Sequence, residues 1–175
     1  ARYGSNEDYK RLSAKAKEMG IGLIMDQVAN HIGSYHRWMN DLPSSDWVNQ
    51  WDEFTQTNHM KVSRFDPHAA EVDQKVFHDG WFVETMPDLN QRQPQLARYL
   101  IQNSIWWIEY ADLYGIRMDT WPYPDKQFLA DWTKGILDEY PNFNIVGEEW
   151  VSDPSLISYW QSDATRGDGY ESYLP

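Results

Sequence analysis

Gly115-Ile116-Arg117-Met118-Asp119 is a five-residue run that passes abruptly from apolar to charged. Alternation along an extended chain puts Ile116 and Met118 on one face and Arg117 with Asp119 on the other. Two other stretches have the same form: Ile21-Gly22-Leu23-Ile24-Met25 ends in Asp26, and Asn144-Ile145-Val146-Gly147 ends in Glu148. The first of these is apolar on both faces and follows directly behind a helical pattern, which reads as a buried parallel strand.

The segments between these runs read as helices. Ser5 and Asp8 have the spacing of a capping box, Tyr9, Leu12, Ala16 and Met19 recur at helical spacing, and Gly20 supplies a stop. Pro94 opens a second helix through Leu96, Leu100, Ile101, Ile105 and Ile108 towards Leu113. Asp125 caps a third, carrying Phe128, Leu129, Trp132 and Ile136, which Pro141 closes. Helix, strand, long excursion, helix, strand, helix, strand predicts an α/β fold with a parallel sheet.

The excursion divides the chain into segments 1–31, 32–93 and 94–175. Residues 32–93 show no helical period and are far too many for an ordinary connection. Trp38, Trp47, Trp51, Trp81 and Phe82 argue against disorder there, because disordered segments are poor in aromatics. The segment reads as a small subdomain above the sheet.

Composition narrows the function. The formal charge of −12, from 15 basic and 27 acidic residues, argues against nucleic acid as a partner, because phosphate binding needs a clustered positive field. No stretch approaches the apolar length of a membrane span, and there is no signal-peptide pattern. With no cysteine, disulfides and thiolate metal sites are excluded. Ten Trp, eleven Tyr and six Phe fit either core packing or a sugar-binding surface, since flat rings match the apolar faces of pyranoses. The opening Ala1-Arg2-Tyr3-Gly4 runs straight into a helix start, as expected of a chain cut from a longer protein.

Three carboxylates at three strand ends carry the chemical reading. In parallel α/β folds the carboxyl ends of the strands open into the ligand site. Arg117 beside Asp119 would favour the ionised, nucleophilic carboxylate, and the same two residues equally make a structural ion pair. Glu148, followed by Glu149, is expected to have a raised pKa suited to a general acid; it also reads as one of two solvated surface acids. On adjacent parallel strands the carboxyls of Asp119 and Glu148 can approach to about 5–5.5 Å, the retaining-glycosidase separation. Asn30 and His31 are suitable partners for sugar hydroxyls. The remaining histidines have no metal-ligand spacing, and no phosphate loop, nucleophile elbow or HExxH occurs.

Asp26-Gln27-Val28-Ala29-Asn30-His31, Gly115-Ile116-Arg117-Met118-Asp119 and Val146-Gly147-Glu148 resemble three ordered blocks of the α-amylase family, glycoside hydrolase family 13. Met86-Pro87-Asp88-Leu89-Asn90 resembles a fourth. The resemblance implies part of a (β/α)8 TIM barrel, strands three to five with their helices, and a domain B insertion after strand three. It implies Asp119 as nucleophile and Glu148 as acid/base. Asp26, His31, Arg117 and Trp121 are implied as substrate-binding residues. The Met86 block, Trp121-Pro122-Tyr123 and Glu148-Glu149-Trp150 look most like bacterial neopullulanases and cyclomaltodextrinases.

The activity so implied is retaining hydrolysis of α-1,4-glucosidic bonds in starch-derived glucans such as pullulan, cyclodextrins and maltooligosaccharides, with no required cofactor and a periplasmic or secreted location. Pro122-Tyr123 stands where many α-amylases have Lys-His, so their calcium site is not carried over. Asp88 stands where the neopullulanase-type block has Lys. The family's third carboxylate, in an Asn-His-Asp block, would lie beyond Pro175, and the 175-residue piece alone is expected to be inactive. A catalytically incomplete sugar-binding or partner-binding member of the same fold is the alternative reading.

Overall fold

A computed structural model describes residues 2–175; Ala1, the first residue of the expected opening segment, lies outside them. Helix α1, Asn6–Glu18, begins at the expected capping box: Ser5 Oγ accepts from the Asp8 amide at 3.2 Å, and the Asp8 carboxylate accepts from the Ser5 amide at 2.7 Å. Gly20, with φ +76°, takes the left-handed conformation that turns the chain back after the Met19 cap. Helix α3, Pro94–Ala111, starts with proline in its first turn and the Gln93 side chain as cap; helix α4, Lys126–Glu139, starts at Asp125, which accepts from the Phe128 amide at 3.0 Å.

Strands β1 (Ile24–Gln27), β2 (Gly115–Met118) and β3 (Asn144–Gly147) form a parallel sheet in the order β1-β2-β3. The α/β reading with a parallel sheet therefore holds. The register sets Arg117 between Asp26 and Val146 in one row, and Met118 between Gln27 and Gly147 in the next.

Two details of the strand reading are corrected. The β1 ladder opens at Ile24 rather than Ile21 and runs through Asp26 to Gln27. The sheet is also buried on one face only. Ile116, Met118 and Ile145 pack into the core, and Gln27 on the same face donates to Ser104 of α3 at 2.6 Å. On the opposite face Ile24 is 51% and Val146 50% exposed, beside Asp26 and Arg117. The helices cover the first face, and no described element covers the second, so the apolar character of Ile24 and Val146 is not matched by burial here.

The excursion is ordered but not free of helix, contrary to its sequence reading. It contains helix α2, Glu71–Asp79, and 3-10 turns at Arg37–Met39 and Lys61–Arg64. Of α2's side chains only Phe77 and Asp79 are buried, so its apolar stripe is too thin to stand out in the sequence. Isolated bridges join His31 to Asp88, Val48 to Leu89 and Gln56 to Trp81. Trp38 and Trp47 are buried against each other, their ring centres 4.9 Å apart, so these aromatics serve packing. Helix α5, Pro154–Ser158, leads into a cluster around buried Trp160. Among the described residues no helix is long and apolar enough to cross a membrane.

Candidate active site

The ladder continues one residue past each strand. The Asp119 amide donates to the Gln27 carbonyl at 2.8 Å, and the Glu148 amide to the Met118 carbonyl at 3.0 Å. Because Met118 pairs with Gly147, Asp119 and Glu148 stand level at the carboxyl ends of β2 and β3. Gly147 is required for this close fit. A Cβ there would lie 2.5 Å from the Trp121 ring, which is packed beneath the strand.

Arg117 gathers three carboxylates. Its Nη1 donates to both oxygens of Asp26 at 2.7 Å and to Asp119 Oδ1 at 2.8 Å, while its Nη2 pairs with Glu148 Oε1. The expected partnership of Arg117 and Asp119 is present, and the structure adds Asp26 and Glu148 to it. Asp119 and Glu148 thus share this guanidinium, one through Nη1 and the other through Nη2.

Their electrostatics run opposite to the sequence expectation. Burial raises the Asp119 carboxyl and the Glu148 charge adds to that, outweighing the bond from Arg117. Burial also penalises ionised Glu148, but the Thr120 amide at 3.0 Å, the Trp150 indole at 2.6 Å and Arg117 hold it below the usual glutamate range. Glu149 does not act as a like-charged neighbour of Glu148. Its carboxylate turns away to Lys61 Nζ at 2.9 Å and the Trp160 indole at 3.0 Å. In the free protein the two neighbouring carboxyls are therefore displaced in opposite directions, Asp119 upward and Glu148 downward.

His31 belongs to the same site. Burial lowers its pKa while the Asp119 charge pulls it up, so the ring is neutral near pH 7. Its ring centre lies 5.4 Å from that of Phe82, and Asn30 Nδ2 is 3.4 Å from its Nδ1. Trp121, expected among the substrate-binding residues, is instead 1% exposed and packed edge-on against Trp132 and Trp160. It offers no face to a ligand; its backbone amide donates to the Glu148 carbonyl at 3.1 Å. Here core packing accounts for a tryptophan read as a sugar contact.

A cleft of about 240 Å³ opens beside Glu148, lined by Lys61, Phe82, Thr120, Pro122, Tyr123 and Trp150. Sequence reasoning had a site role for none of these six. Thr120 takes φ +50°, a conformation non-glycine residues rarely adopt, and its amide thereby meets Glu148. Lys61 lies in the excursion, and no local pattern signals its partner 88 positions away. Trp150, with 80% of its surface exposed, is the lining aromatic most open to solvent. Among the described residues no cluster of His, Asp and Glu has the makings of a metal centre.

A parallel sheet with level carboxylates at its carboxyl edge directs attention to glycosidases, and comparison with known proteins agrees. The sequence profile described as alpha amylase, catalytic domain, matches residues 1–173. The chain belongs to the α-amylase family. It is 27% identical over 151 residues to an intracellular maltogenic amylase of Bacillus subtilis, an overlap covering 86% of this chain and 24% of the relative. It is 26% identical over 149 residues to a cyclomaltodextrinase of Geobacillus thermopakistaniensis, with 85% and 24% covered. Among solved structures it resembles the α-amylase of Geobacillus thermoleovorans in complex with acarbose, with 31% identity, TM-score 0.71, and 89% of this chain and 32% of that one covered. An α-amylase from Anoxybacillus aligns at 29% identity and TM-score 0.72, covering 89% and 31%. The chain thus spans about a quarter of the length of the family members it matches in sequence and about a third of those it matches in structure.

Proposed function

We propose that the protein carrying this chain is a retaining glycosidase of α-1,4-linked glucans, with Asp119 as nucleophile and Glu148 as acid/base. The observation that carries this reading is the level placement of those carboxyls around Arg117, beside a cleft lined by aromatic rings. In the first step Glu148 protonates the glycosidic oxygen as it leaves, and Asp119 attacks the anomeric carbon to give a covalent glycosyl-enzyme. In the second, Glu148 takes a proton from water, which displaces Asp119 and restores the α configuration. For this the proton must reside on Glu148, so substrate has to exchange the Arg117–Glu148 contact of the free protein for one between Glu148 and the glycosidic oxygen.

In this reading Asp26, Arg117 and His31 contact the sugar at the scissile bond or hold the nucleophile, and Trp150 and Phe82 flank the neighbouring units. Residues 32–93 are a domain B insertion, and β1 to β3 are strands three to five of a (β/α)8 barrel. The open sheet face with Ile24 and Val146 then corresponds to the barrel interior. The names of the relatives, maltogenic amylase and cyclomaltodextrinase, support maltooligosaccharides and cyclodextrins as substrates.

Proton NMR of the anomeric products from β-cyclodextrin, starch and pullulan tests the proposal on the full-length protein. Early α-anomer, lost in Asp119→Asn and Glu148→Gln, is the expected result. Early β-anomer, or activity that survives Asp119→Asn, rejects it.

A further inference from the structure

The 3-10 turn Lys61–Arg64 bears one cation at each end, and each grips a different loop at the sheet's carboxyl edge. At one end Arg64, buried against Phe77 and Trp160, donates to the Pro124 carbonyl at 2.6 Å in the loop that follows β2. At the other end Lys61 reaches the loop that follows β3. Its ammonium donates to Glu149 Oε1 and to the Trp150 carbonyl, both at 2.9 Å. The ion pair is enclosed, with 15% of the Lys61 side chain and 4% of the Glu149 side chain exposed. The backbone at its base is itself constrained: His59, with φ +55°, accepts from the Lys61 amide at 2.9 Å, and its ring meets the Tyr123 hydroxyl at 3.0 Å.

What Lys61 holds bears on the catalytic carboxyl. Trp150 is largely exposed, so little packing fixes its ring. That ring nonetheless donates to Glu148 Oε1 at 2.6 Å, leaving the other oxygen to the Thr120 amide. Two attachments reach residues 149–150: the Trp160 indole on the Glu149 carboxylate, and Lys61 on both. Of the two only Lys61 grips the main chain at Trp150.

We infer that Lys61 is a positioning residue for the proposed reaction: it transmits the placement of the excursion to Glu148 by tethering Glu149 and the Trp150 backbone, so that the Trp150 indole stays bonded to the acid/base carboxyl. The inference rests on the acid/base reading of Glu148. Lys61 takes no proton from substrate and need not touch it.

The test compares Lys61→Met, Lys61→Arg and the double variant Lys61→Met/Glu149→Gln in the full-length protein. Two readouts are taken: steady-state hydrolysis of maltoheptaose, and the 15N-indole resonance of Trp150, assigned through Trp150→Phe. In Lys61→Met the Trp150 indole should lose its hydrogen bond, shifting towards the free-indole position and exchanging faster with solvent. kcat should fall tenfold or more while KM stays within about threefold. Lys61→Arg, which keeps a cation able to donate to both oxygens, should restore most of each. The double variant removes the stranded buried charge but not the missing tether, so it should stay slow.

An unchanged Trp150 resonance in Lys61→Met, an unchanged kcat, or full recovery in the double variant would overturn the inference. Glu148→Gln is run alongside. If it remains active while Trp150 detaches in Lys61→Met, the acid/base reading fails and the tether stands. If it is inactive while Trp150 stays bonded in Lys61→Met, the tether fails and the acid/base reading stands.

Discussion

The backbone amide of Glu148 donates to the Met118 carbonyl at 3.0 Å, which sets Glu148 level with Asp119 across the boundary between β3 and β2. Backbone ladder geometry, not side-chain flexibility, therefore fixes which two carboxyls converge. Arg117, two residues before Asp119 and on the same face, completes the arrangement by bonding to both.

Arg117 controls the titration of the pair. Its positive charge favours the ionised form of both carboxyls, so removing it raises both pKa values. Arg117→Met should move both limbs of the kcat/KM profile to higher pH and lower kcat on the order of 100-fold through misplacement of Asp119. A pH–rate profile on maltoheptaose checks the direction. A shift of either limb to lower pH would contradict it.

Gly147 admits no side chain. Its Cβ position lies 2.5 Å from the Trp121 ring, itself enclosed by Trp132 and Trp160. Gly147→Ala should destabilise the protein by about 1–3 kcal/mol through overpacking. Activity should drop as well, because the displaced backbone is that of Glu148. Urea denaturation and initial rates measured on the same preparations report both effects.

These contacts show what could be read in advance and what could not. The strand ends Asp119 and Glu148 were legible because the switch from apolar to charged is local, whereas the same switch at Asp26 falls inside β1, which continues to Gln27. The Ser5 and Asp125 caps were legible for the same reason. Trp121 was misread, since a tryptophan near a site serves packing or binding equally well until burial is known. Lys61 and the turned-away Glu149 were out of reach, because their pairing joins segments 88 residues apart. The opposed pKa shifts of Asp119 and Glu148 depend on which amides and indoles meet each oxygen, and neighbouring residues in the sequence do not specify that.

Ser104 links three elements beneath the site. Its hydroxyl is fully buried, accepts from Gln27 Nε2 at 2.6 Å and Trp132 Nε1 at 2.8 Å, and donates to the Leu100 carbonyl at 2.9 Å. Ser104→Ala leaves two buried donors without a partner and should cost about 2 kcal/mol. Ser104→Thr, which keeps the hydroxyl, should recover part of this unless its extra methyl overpacks. Denaturation midpoints of the two variants separate the lost hydrogen bonds from simple loss of volume.

His78 makes stability depend on pH. Burial pushes its pKa down to about 3, with the Arg64 charge beside it adding to the effect, against an ordinary value of 6.5. Between those values the unfolded chain binds a proton that the folded chain refuses. Its contribution is therefore intact above about pH 6.5 and is lost as pH falls towards 3, at up to about 1.4 kcal/mol per pH unit. His78→Gln should flatten that part of the curve, which paired denaturation series from pH 7 to 4 would detect. Parallel curves for the two proteins would contradict the assignment.

In the proposed reaction Asp119 becomes covalently bonded to the sugar. Full-length protein bearing Glu148→Gln, which should form the intermediate from an activated donor but hydrolyse it slowly, is incubated with α-maltosyl fluoride, digested and analysed by mass spectrometry. One maltosyl adduct is expected, on the peptide containing Asp119. An adduct on any other carboxylate, or turnover of the donor with no adduct and inverted product, would contradict it.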